Sequence, residues 1–116
     1  MVDRIGNGGS DDLSPISANQ KRKMYESEYK HAADLFERTL NAHAKSDNPY
    51  QKEAFRKVMD KSLEILKETA SELRRQKLLE QNQQIEKDYA AYQQDESKSA
   101  KTKLEHDLER AKNSFS

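Results

Sequence analysis

The sequence predicts an all-α protein: an antiparallel helical hairpin, or coiled coil, with a long second helix. Three observations carry this. From Ile16 to Ser116 there is one proline, Pro49, and no glycine, although these two residues are the strongest punctuators of local structure. The 21 basic and 21 acidic residues cancel, and a neutral, charge-dense chain rich in Ala, Glu, Lys, Gln and Leu has the composition of a solvated long helix. Apolar residues also recur at steps of three and four. Leu, Ile, Val and Phe number only 19 of 116, which reads as too few for a globular core. The expected organisation is a disordered tail over 1–16, then one helical unit over 17–116.

The tail holds all three glycines and one of the two prolines and little apolar material to repay ordering. Ser17-Ala18-Asn19-Gln20 fits a capping box, and Ser14-Pro15 is a competing start one turn earlier. The first helix is placed at 17–45. Its stripe is Tyr25, Tyr29, Ala32, Phe36, Leu40 and His43, which is one helical face. Ser46-Asp47-Asn48-Pro49 then breaks the chain. Asn48 is biased away from the helical region by the proline after it. It can cap the next helix, with Pro49 in the first helical position. So short a connection favours an antiparallel hairpin, with Phe36 and Leu40 packing on Phe55, Met59 and Leu63.

The second helix starts at Pro49 and shows no obvious stop for about 45 residues. Its first stripe is Phe55, Met59, Leu63, Leu66, Ala70 and Leu73. The phase is offset around 74–80, read as a skip rather than a break. A new stripe follows at Leu78, Asn82, Ile85, Tyr89 and Tyr92. Near residue 96 the phase slips again before Leu104, Leu108, Ala111 and Phe115. There the helix either runs straight on or breaks, with Asp95 or Ser97 capping a third helix. At ~1.5 Å per residue, a helix over 49–95 is about 70 Å long and the first helix about 43 Å. The first helix then covers the second only to about residue 77. On that geometry Leu78, Ile85, Tyr89, Tyr92, Leu104 and Leu108 form a stripe that binds another chain, unless the chain folds back near residue 96.

Several classes are disfavoured. Zero net charge argues against nucleic-acid binding. No run of about 18 apolar residues exists to span a bilayer. Cysteine is absent, which removes thiolate metal sites and disulfides. The N-terminus lacks the apolar segment of a secretory signal. The expected location is the cytoplasm, or outside the cell by a route that needs no cleaved signal.

No catalytic constellation stands out. Glu28-Tyr29-Lys30-His31 has the Glu-x-x-His spacing of di-iron bundles, but those need a second pair and two further glutamates, and no second copy exists. A solvated His31 is the better reading. His43 lies on the apolar stripe, His106 reads as exposed, and none has a nucleophile beside it. Lys21-Arg22-Lys23 and Arg74, Arg75, Lys77 are flanked by acids and read as solvated faces. Asn82 has two readings: a buried asparagine that fixes register, or a seam-edge residue in water. Tyr89 and Tyr92 read equally as a docking patch or as core. Lys57 and Lys61, followed on the same face by Glu64, Glu68 and Glu72, would pair with themselves in an antiparallel arrangement. Chance accounts for the row as well.

The segment from Tyr25 to about Leu73 resembles the helical hairpin of the needle and inner-rod subunits of type III secretion systems. The resemblance is carried by Ser46-Asp47-Asn48-Pro49 between two amphipathic helices, followed by a glutamine and apolar residues in the first turn. It implies a subunit or chaperone of a secretion machine, with the N-terminal tail as export signal. The chain departs from those subunits by continuing for some forty residues, which resembles the coiled-coil stalk and chaperone components of the same machines.

Two functional readings follow. The first is a non-enzymatic, cofactor-free interaction protein (adaptor, chaperone or assembly factor) that binds helices of itself or of another protein. The second is a structural subunit that self-assembles.

Overall fold

The structure is a computed structural model and describes residues 15–115. Apart from Pro15 and Ile16, the expected tail lies outside the described residues. Four helices are present among them: α1 (Pro15–Lys45), α2 (Pro49–Leu73), α3 (Gln76–Asp95) and α4 (Lys98–Asn113). The all-α expectation and the hairpin hold. The long second helix does not, because it divides into α2 and α3.

α1 begins at Pro15, the earlier of the two starts read from the sequence. Proline's fixed φ suits the first helical position, where no N–H is needed. The first connection follows the expected capping chemistry. Asn48 is extended (φ −92°, ψ 118°), and its Oδ1 accepts hydrogen bonds from the backbone N–H of Tyr50 at 2.8 Å and Gln51 at 3.2 Å. Pro49 opens α2, and Asp47 is exposed beside the cap.

α2 stops because Arg74 turns left-handed (φ 54°, ψ 37°), its N–H donating back to the carbonyls of Ala70 and Ser71. Arg75 is then extended and α3 begins. The third connection repeats this geometry. Glu96 is left-handed (φ 51°) and Ser97 extended, and Ser97 Oγ accepts from the Ala100 N–H at 3.1 Å. Short connections of this kind join antiparallel helices. Each reverses the chain without the glycine that usually occupies a left-handed cap.

Ion pairs across the seams give the directions. Lys52–Glu96 (2.6 Å) and Lys67–Glu86 (2.8 Å) set α3 antiparallel to α2. Lys112 reaches Asp34 and Glu37, both at 2.7 Å, and Phe115 meets Tyr29 at 5.5 Å between ring centroids, so α4 lies antiparallel along α1. α1 neighbours α2 and α4, and α3 neighbours α2 and α4, which leaves α1 and α3 across a diagonal. The result is an up-down-up-down four-helix bundle with short loops, measuring 60 × 30 × 18 Å. A bundle this narrow closes on few apolar side chains, so the small apolar count does not prevent a core.

Candidate functional site

The residues expected to meet a partner are the chain's own core. Leu78, Ile85, Tyr89 and Tyr92 on α3 are buried, as are Leu104 and Leu108 on α4. They pack with Tyr29, Phe36, Leu40, Met59, Leu63 and Leu66 of the hairpin. The partner stripe is thus corrected. The length argument assumed one straight helix past residue 73, and the reversal at Arg74 returns α3 along α2, where α4 and α1 cover it. Phe55 is also corrected, being half-buried and outside the core. It shares the heptad position of the buried Ser62 and Thr69, on the flank of α2 toward the outer edge of α1.

Polar groups inside the bundle tie the diagonal together. Tyr29 Oη donates to Asn82 Oδ1 at 2.6 Å, and Asn82 Nδ2 donates to the Leu66 carbonyl at 2.9 Å. One seven-residue step along α1, Phe36 meets Tyr89 edge-on at 5.1 Å between ring centroids. A further step on, His43 Nδ1 lies 2.8 Å from Tyr92 Oη. Tyr89 Oη donates to Asp60 Oδ1 at 2.6 Å. Asn82 is therefore in the core rather than at a wet edge, and Tyr89 and Tyr92 pack internally rather than forming a docking patch.

Burial lowers the His43 pKa, the dominant cause, against a smaller raising effect of Glu96. Burial also lifts the phenol of Tyr92, pushed up to about 12. On α4, Asp107 is buried with Oδ2 unpartnered. Burial first, then its hydrogen bond and charge repulsion with Asp88 of α3, push its carboxyl up to about 7. Both acids line the groove between α3 and α4.

His31 and His106 are exposed. Among the described residues no cluster of His, Asp and Glu could hold a metal ion. The grooves along α1–α2 (Tyr25, Glu28, Thr69, Glu72) and along α3–α4 (Gln84, Asp88, Asp107, Arg110) are open to solvent.

What stands outside is a different surface from the one expected. Leu35 is 40% exposed and Val58 37%. By helical spacing both lie on the outer seam of α1 and α2, near the half-buried Phe55 and Ile65. Beside them on α2 run Lys57, Lys61, Glu64, Glu68 and Glu72, all exposed. Sequence reasoning singled out neither Leu35 nor Val58 as a surface residue. Their signal was present: each is a large apolar residue off the interior heptad positions. Among the described residues no helix is long and apolar enough to cross a membrane.

Fold and surface together define the class, a four-helix bundle with an apolar, charge-bordered outer face. No protein-family model, curated protein or solved structure matches this chain.

Proposed function

We propose that this protein is a non-enzymatic helical interaction protein, an adaptor or assembly factor, that docks a partner on the outer face of α1 and α2. One observation carries the reading. Leu78, Ile85, Tyr89 and Tyr92 of α3 are inside, whereas Leu35 and Val58, like Met24 and Tyr50 nearer the ends of the hairpin, remain exposed, and Leu35 and Val58 share one seam bordered by a dense row of charge. An apolar centre with a polar rim is how protein interfaces are built. The grooves supply no enclosed chamber in which a substrate would be desolvated. A photo-reactive side chain at Val58, in cells that make the protein, is expected to give one dominant covalent adduct. The same group at Ser99, exposed on α4, is expected to give none. No adduct at Val58, or equal adducts from both positions, would contradict the reading.

The second reading, a self-assembling structural subunit of a secretion apparatus, draws support from the hairpin closed at Asn48-Pro49 and from the resemblance of residues 25–73. Length-dependent sedimentation of purified protein into filaments would favour it.

A further inference from the structure

The outer face of α2 carries its charges in blocks. Lys57 and Lys61 are followed by Glu64, Glu68 and Glu72. Like charges four residues apart disfavour a helix, by ~0.2–0.5 kcal/mol a pair, where alternating signs would support it. The opposite flank of the same helix is satisfied within the chain: Lys52 pairs with Glu96 and Lys67 with Glu86. On the outer flank the one ion pair among the described residues is Lys61–Glu64, at 3.1 Å.

We propose that this face pairs with the same face of a second copy of the chain, antiparallel, about a two-fold axis beside Ile65. Lys57 then meets the second copy's Glu72, and Lys61 meets the second copy's Glu68. Both pairs are centred on one point, midway between Glu64 and Ile65, so a single register satisfies both and their symmetry mates. The shared centre follows from the spacing of four within each like-charged pair. Ile65 lies at the axis, half-buried, and Val58 and Leu35 flank it with exposed apolar surface. A two-fold pairing uses the same patch on both copies and therefore closes. The product is a discrete dimer and not a filament. The inference rests on the docking reading above and names its occupant.

Sedimentation equilibrium of the full chain in low salt tests it, over roughly 10 µM to 1 mM, where small charged interfaces dissociate. A monomer–dimer equilibrium is expected. Lys61→Glu and Glu68→Lys should each weaken the dimer about tenfold, ~1.4 kcal/mol. Both changes in one chain should restore it, because each swapped residue meets its swapped partner. Both side chains involved are exposed, so unchanged melting temperatures confirm that the variants fold. A monomer throughout, or a double variant as weak as the singles, would overturn the pairing. The Val58 cross-link separates this from the docking reading. An adduct of twice the chain mass supports self-pairing, an adduct of any other mass overturns self-pairing alone, and no adduct overturns both.

Discussion

Tyr29 and Asn82 show how a chain poor in apolar residues specifies one packing. The Tyr29 hydroxyl, Asn82 amide and Leu66 carbonyl join α1, α3 and α2 in one buried chain of hydrogen bonds. A shift of any one helix by a turn would strand these groups away from water, where each unsatisfied group costs ~1–3 kcal/mol. Tyr29→Phe should therefore destabilise by ~1–2 kcal/mol, read as a lower urea midpoint at unchanged slope; an unchanged midpoint would show that the bond does not hold register. Asp107 offers a pH test. Its folded pKa, about 7, lies above the unfolded carboxylate value near 4. The folded state thus binds more protons between those values, and this stabilisation is fully present below about pH 4 and lost as pH rises toward 7. His43 works the other way: its pKa is lowered, so its stabilisation fades as pH falls below about 6.5. Asp107→Asn isolates the first effect, since an amide does not titrate. The variant should gain on the native chain from pH 5 to pH 8, by ~1–2 kcal/mol at the upper end. A pH-independent difference between the two melting curves would contradict the raised Asp107 carboxyl.

At the scale of the helices, the sequence disclosed the Asn48-Pro49 turn because proline and a capping side chain mark it chemically. Near residue 96 it offered Ser97 only as one of two candidate caps, beside Asp95, with a straight helix left open. The break at Arg74–Arg75 carries no such mark. A left-handed arginine is disfavoured by ~1–2 kcal/mol, and nothing local announces it; the one trace was the change of apolar phase between Leu73 and Leu78. Tertiary packing of α3 on α2 outweighs the local penalty, and so a reversal looked like a skip. Arg74→Gly should relieve that strain and raise stability by up to ~1 kcal/mol, reduced by the greater freedom of glycine in the unfolded chain. Glu96→Gly should gain less, because it also removes the Lys52 ion pair. Equal gains, or a loss at Arg74, would contradict the strained-cap account. Differential scanning calorimetry of the two variants measures this.

For the whole molecule, every stripe read from the sequence is present and nearly every large apolar residue in them is buried, but the partner of the second half was misjudged. Periodicity reports which side chains leave water and not which surface receives them. Leu78, Ile85 and Tyr89 could have been buried by another chain or by their own, and only the reversal at Arg74 decides between these. That reversal is also why the proposed docking face lies on α1 and α2, so closure of α4 onto α1 within one chain is the central claim. The chain has no cysteine, which makes a cross-link clean. Asp34→Cys and Lys112→Cys replace a pair whose charged atoms lie 2.7 Å apart. A short bis-maleimide added at high dilution should yield a covalently closed monomer in high yield. Cross-linked dimers alone, with no closed monomer, would mean that α4 lies on a different chain and would contradict the bundle.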